Sequence, residues 1–181
     1  MSRADECEWM LRFKVLIGDI TKEKVSAIVN AANESLLGGG GVDGAIHRAA
    51  GLDLLAECRT LGGCATGSAK VTRGYRLPAK FIIHTVGPVW HGGGHGEDEL
   101  LRRCYESVFD IVEEHGLTSL ALPAISCGAY GYPLDHAADI ALGAIRSFLE
   151  RNESVERLHV VCFTDEAYEA YWEILQDVAA G

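Results

Sequence analysis

The sequence predicts an α/β sandwich in which helices pack against a largely parallel sheet. Three observations carry this. Short apolar runs alternate with stretches of helical periodicity along the chain, the pattern of βαβ units. The 181 residues suit one domain large enough for a full hydrophobic core. Glycine-rich loops follow two of the strand-like runs, and ligands in such folds bind beyond the carboxyl ends of strands.

Taken in order, residues 1–9 read as a loose polar leader and 10–181 as a single domain. Residues 11–17 (LRFKVLI) read as a strand closed by GDIT, 18–21. A short amphipathic segment, 22–26, leads to the strand-like AIVN at 27–30. After four consecutive glycines (38–41), residues 43–50 and 53–61 read as short helices divided by Gly51. A loop at 62–67 separates them from strands at 69–72 and 81–86, the second apolar enough to be buried on both faces. Residues 87–98 (GPVWHGGGHGED) read as an exposed, mobile loop. A helix follows at 98–115, with Leu101, Cys104, Tyr105, Val108 and Val112 on one stripe and Gly116 as its stop. A strand at 119–124 ends in a second glycine-containing loop, SCGAYGY. Pro133 suits the first turn of the next helix, whose apolar stripe runs from Leu134 to Leu149. A strand at 158–163 and a helix at 166–178 finish the pattern.

Composition narrows the function classes. With 48% hydrophobic and 23% charged residues the chain reads as an ordinary globular protein, and no run approaches the ~18 apolar residues of a membrane helix. The N-terminal residues are acidic and polar, unlike a signal peptide. Six cysteines show no CxxC and fall mostly within apolar patterns, so they are expected as reduced, mainly buried thiols of a cytoplasmic protein. A net charge of −10 disfavours nucleic acid as a partner. A small anion held by backbone N–H groups is compatible with it.

The stretch from Val29 to Ala50 is the most informative. Four glycines in a row suit a backbone that approaches a ligand closely, and the helix start beyond them offers unpaired N–H groups at its positive end. Such a loop fits a phosphate or diphosphate. Gly39, Gly41 and Gly44 satisfy GxGxxG, but the acidic partner of a dinucleotide fingerprint is missing from the region about 20 residues further on. The P-loop pattern is also absent. The loop at Ser126–Cys127–Gly128–Ala129–Tyr130 offers a second set of N–H groups, or an ordinary strand-to-helix turn. Asp43 suits a helix N-cap; beside a phosphate site the same carboxylate can orient or deprotonate a water. His47, one turn on, reads as a supporting hydrogen-bond partner rather than a proton carrier. His91 and His95 lack a ligand set of sensible spacing, so no metal is expected there. Ser126 and Cys127 lack the GxSxG elbow of a nucleophile.

The pieces GDIT, VNAAN, LLGGGGVDGAIHRAAG, LPAK, HTVGPVW, LPAIS and GAYGYP, in order from Gly18 to Pro133, resemble a macrodomain of the MacroD type, which binds and hydrolyses ADP-ribose derivatives. The chain is particularly similar to the bacterial O-acetyl-ADP-ribose deacetylase branch. That resemblance implies a three-layer α/β/α sandwich with a mixed, largely parallel central sheet. It implies that Asp19 accepts a hydrogen bond from the adenine amino group, with Ile20 beside it and Phe163 against the ring. Gly40, Gly41 and Val42, with Ser126, Cys127, Gly128, Ala129 and Tyr130, would surround the diphosphate and distal ribose. Asn33 would hold the ribose hydroxyls, Asp43 would position or activate water, and His47 would support it. The implied reaction is hydrolysis of an ester at the distal ribose, the substrate's own phosphate assisting. Substrates would be O-acetyl-ADP-ribose and proteins mono-ADP-ribosylated on Asp or Glu, with no metal or cofactor. The alternatives are a non-catalytic ADP-ribose reader and a regulator of an RNA-processing enzyme through protein contact. Cys127 departs from the threonine usual at its position.

Overall fold

The computed structural model describes residues 8–180. Six strands form one sheet in the order β1-β6-β5-β2-β4-β3: β1 (Phe13–Ile17), β2 (Ala27–Ala31), β3 (Ala69–Arg73), β4 (Phe81–Thr85), β5 (Ser119–Leu122) and β6 (Arg157–Cys162). Only β3 runs antiparallel, against β4. The sheet is therefore mixed but largely parallel, as expected. Helices α1 (Glu8–Leu11), α4 (Glu97–Glu114), α5 (Leu134–Arg151) and α6 (Asp165–Ala180) share one core, in which the Phe109 and Phe148 rings stack 4.1 Å apart. Helices α2 (Gly41–Ala50) and α3 (Leu52–Thr60) build a second core with Ile28, Ile82 and Val161. Two apolar faces on one sheet make a three-layer sandwich.

Several boundaries differ from expectation, each for a tertiary reason. Of the expected leader, residues 1–7 lie outside the described residues, whereas Glu8 and Trp9 belong to α1. Trp9 is 2% exposed in the larger core, so the packed domain begins before residue 10. β1 starts at Phe13, because Arg12 closes the turn after α1 and its guanidinium donates to the carbonyls of Leu149, Asn152 and Val155. In place of an amphipathic segment at 22–26 there is a single 3-10 turn at Ile20–Lys22, capped by Asp19, and residues 23–26 run on to β2 without helix. β5 stops at Leu122, before Pro123, which has no N–H to continue a ladder. Pro133 is the N-cap of α5 rather than a residue of its first turn.

The loop at 87–98 is exposed at its tip but tied at its base. Gly87 and Pro88 are buried, and Glu97, the first residue of α4, turns its carboxylate back into the loop. That carboxylate accepts from the N–H groups of His91 (2.9 Å), Gly93 (3.2 Å) and His95 (2.7 Å). Burial alone would raise its pKa, but these backbone donors outweigh it and hold the carboxyl at about 2. No helix among the described residues is long and apolar enough to cross a membrane.

Candidate functional site

Because β1, β6, β5, β2 and β4 are parallel, their carboxyl ends share one edge of the sheet. The loops leaving that edge, together with α2, which starts from one of them, carry the candidate site residues named from the sequence. At one end, Ile17 pairs with Cys162, so the residues that follow stand side by side, and Gly18 N–H donates to Cys162 O (3.0 Å). Phe163 is 87% exposed there, and Asp19 lies beside it on the neighbouring strand end. Asp19 Oδ1 accepts from Thr21 N (2.9 Å) and Thr21 Oγ1 (2.6 Å), and the hydroxyl bond is the main cause that holds its pKa below the usual carboxylate value. Ile20 turns its side chain into the smaller core and seats this turn.

The glycine loop is held open from beneath. Leu36 adopts a left-handed backbone (φ 59°) and buries its side chain, an anchor for the glycines that follow. Gly40 caps α2, so Asp43 is not the N-cap; it is the third helical residue, 4% exposed, and it faces inward. The first helical bond is Gly44 N–H to Gly40 O (3.2 Å). Among the described residues, the N–H groups of Gly40, Gly41, Val42 and Asp43 have no acceptor. Asn33 works within the loop: Nδ2 donates to Gly38 O (2.9 Å), and Oδ1 accepts from the Ser35 amide (3.1 Å) and hydroxyl (2.6 Å). A Cβ built on Gly39 would lie 3.1 Å from Asp43 Oδ2 and 3.3 Å from Asn33 Nδ2, so both side chains converge beneath that glycine.

The second loop packs close to the strand end of β4. Ser126 is left-handed (φ 65°), and a Cβ on Gly87 would fall 2.1 Å from its Oγ. Among the described residues, the N–H groups of Gly128, Ala129 and Tyr130 have no acceptor, while Tyr130 O accepts from Trp90 N (2.9 Å). An open cavity of about 490 Å³ lies between Asn33–Ser35, ahead of the glycines, and Tyr130 of the second loop, with Val86 and Gly87 among its other lining residues. The Cys127 thiol donates to Ile125 O (3.4 Å), and burial pushes its pKa up to about 12, which suits a packing role. Among the described residues, no group of three or more His, Cys, Asp or Glu side chains is placed to hold a metal.

Behind Asp43 lies a polar set that sequence reasoning did not single out. Asn30 Nδ2 donates to Asp43 Oδ1 (2.8 Å) and lies 3.1 Å from His84 Nδ1; His84 Nε2 lies 2.8 Å from Thr72 Oγ1. Burial, with His47 nearby, lowers the His84 pKa to about 3, so the ring is neutral. His47 Nε2 lies 3.5 Å from Asp43 Oδ1 without a hydrogen bond among the described residues. The available signal was an asparagine and a histidine at the ends of otherwise apolar strands (AIVN, FIIH), since a buried polar side chain needs a partner.

The Macro domain family model matches residues 29–141, which spans the glycine loop, Asp43 and the second loop. O-acetyl-ADP-ribose deacetylase 1 of Pantoea vagans is 50% identical over 92% of this chain and 99% of its own length. ADP-ribose glycohydrolase MACROD1 of Bos taurus is 55% identical over 87% of this chain and 49% of its own. A crystal structure of the Trypanosoma brucei macrodomain in complex with ADP-ribose superposes with a TM-score of 0.86 at 44% identity, covering 91% of this chain and 69% of that one. On fold, motif and sequence together, the chain belongs to the macro domain family.

Proposed function

We propose that the protein is an ADP-ribose-binding hydrolase that cleaves esters at the distal ribose, acting on O-acetyl-ADP-ribose and on proteins mono-ADP-ribosylated at Asp or Glu. The carrying observation is the buried Asp43 carboxylate, converging with Asn33 beneath a glycine loop whose N–H groups find no acceptor among the described residues. The two loops would take the diphosphate on backbone donors. Phe163 and Asp19 at the far end of the strand edge would take the adenine. The distal ribose then lies in the cavity between Asn33 and Tyr130. Asp43 orients a water whose proton passes to a phosphate oxygen of the substrate. The water oxygen bonds to the carbonyl carbon of the ester, and the bond from that carbon to the ribose oxygen breaks. The phosphate returns its proton to the departing ribose oxygen, and ADP-ribose leaves with the free acid as the other product. A pure reader of ADP-ribose would need the loops but not a buried carboxylate among them.

The test is release of free ADP-ribose from a glutamate-linked mono-ADP-ribosylated protein by wild type and Asp43→Ala. Wild type should turn over, and the variant should bind ADP-ribose normally while losing about 100-fold or more in kcat. Binding without release by either protein would replace the hydrolase reading with that of a reader.

A further inference from the structure

Asp43 could have been a lone carboxylate at the mouth of a loop. Instead its Oδ1 is the end of a buried chain of polar groups that crosses three strands. Asn30 and His84 are paired residues of β2 and β4, two positions beyond Ile28 and Ile82, so all four point to the α2 side of the sheet. Thr72 approaches from β3, the antiparallel edge. Asn30 and His84 are both 0% exposed.

We propose that Asn30 and His84 are positioning residues for hydrolysis, acting through Asp43 by pinning its Oδ1 so that Oδ2 faces the glycine loop. This rests on the reading of Asp43 as the group that orients the water. The hydrogen count makes the arrangement directional. An asparagine amide has two hydrogens, and here both neighbours, Asp43 Oδ1 and His84 Nδ1, lie on the nitrogen side. Turning the amide over would set its oxygen against a carboxylate oxygen. The amide therefore donates to both, His84 Nδ1 carries no proton, and His84 Nε2–H donates to Thr72 Oγ1. Only one amide orientation and one ring tautomer satisfy all three contacts. The neutral state of the buried ring agrees with this assignment.

The two carboxylate oxygens of Asp43 are thus unlike. Oδ1 accepts from Asn30 and has His47 at 3.5 Å, whereas Oδ2 has no protein donor among the described residues and lies where a Gly39 Cβ would be 3.1 Å away. A carboxylate held by one oxygen cannot rotate freely, and the other oxygen is left for the water and the reacting ester. Apolar side chains in place of Asn30 and His84 would extend the packing of Ile28 and Ile82 but leave Asp43 without its donor.

The decisive experiment measures kcat on the glutamate-linked substrate beside the Kd for ADP-ribose, with folding checked by circular dichroism. Asn30→Leu and His84→Leu should each lower kcat about 10- to 100-fold with the Kd within about threefold of wild type. His84→Asn, which returns an acceptor near the Nδ1 position, should recover kcat to within about threefold where His84→Leu does not. Asn30→Asp, which keeps the shape but sets a carboxylate against Asp43, covers the case in which the leucine variant fails to fold, and should lose kcat equally. In an Asp43→Ala background, Asn30→Leu should add no further loss. A wild-type kcat in the Asn30 and His84 variants, equal losses in His84→Leu and His84→Asn, or additive losses with Asp43→Ala would each overturn the proposal. An inert wild type would instead overturn the hydrolase reading on which it rests.

Discussion

Gly44→Ala gives a demanding test of how the glycine loop is positioned. Gly44 lies inside α2, where alanine is ordinarily favoured by about 1 kcal/mol. A Cβ at this position, however, would sit 2.5 Å from the Gly39 carbonyl oxygen and 3.0 Å from Arg48 Nη1. The arginine is the far end of a flexible side chain and moves easily; the carbonyl is backbone. To reach the 3.0–3.4 Å of tight real contacts, Gly39 must retreat by about 0.5–0.9 Å. Overpacking of this kind costs about 1–3 kcal/mol, so the net change should be a loss of about 0–2 kcal/mol, or a fall of ~0–8 °C in Tm. The catalytic effect should be larger. Gly39 lies over Asp43 Oδ2 and Asn33 Nδ2, and a displacement near 1 Å at such a position can lower turnover about 100-fold. Calorimetry gives the stability and release of ADP-ribose gives the turnover. A variant more stable than wild type with undiminished kcat would refute the idea that Gly44 is there to let the loop approach.

Two further outcomes follow from other groups in the site. Gly41 is left-handed (φ 57°) and a Cβ there meets nothing within 4 Å, so Gly41→Glu would project charge into the open space beside the free N–H groups. The Kd for ADP-ribose should rise about 100-fold or more, with Gly41→Ala isolating the roughly 1 kcal/mol of backbone strain; an unchanged Kd in the glutamate variant would mean the loop does not meet phosphate. His84 has its pKa lowered from 6.5 to about 3, so the unfolded chain takes up a proton in that window that the folded chain refuses. Stability from this group is present above pH ~6.5 and declines as pH falls, by up to about 1.4 kcal/mol per unit. Urea midpoints at pH about 7 and 5 should fall less in His84→Asn than in wild type, and equal falls would show that His84 is not the group.

The fold was legible because its signals are local. AIVN and FIIHTV are too apolar for anything but interior strands, and the stripe from Leu101 to Val112 has one period. The antiparallel edge strand β3 left no such mark, since 69–73 reads the same in either direction. The site was legible where backbone does the work, in the consecutive glycines and the loop after Ser126. What escaped depends on partners far along the chain. Trp9 stands in an acidic stretch and is buried because α1 packs on α5 and on β1, where its ring meets Phe13. Glu97 fell inside the loop at 87–98 that sequence alone read as mobile, yet it opens α4 and its carboxylate gathers that loop. Asn30 and His84 meet only through strand register, 54 residues apart, which no local pattern encodes.

The charge of the protein and the charge of its proposed ligand pull against each other, and this yields a prediction of unusual sign. The chain carries a net −10, and Asp19, Ile20, Asn33, Gly40–Val42, Ser126–Tyr130 and Phe163 include no lysine or arginine. A diphosphate in the proposed site would therefore be held by fixed backbone dipoles at contact distance, while the rest of the molecule repels it at long range. Salt screens the second effect strongly and the first weakly, because the Debye length at about 0.1 M is ~10 Å, whereas hydrogen-bonded partners are ~3 Å apart. Raising the ionic strength should leave ADP-ribose affinity flat or slightly tighter, where a lysine-built phosphate site would weaken. Titration calorimetry at about 0.05 M and 0.5 M sodium chloride reads the difference directly. An affinity that fell about tenfold across that range would mean that a side-chain cation, such as Arg48 swinging over α2, carries the phosphate instead of the loops.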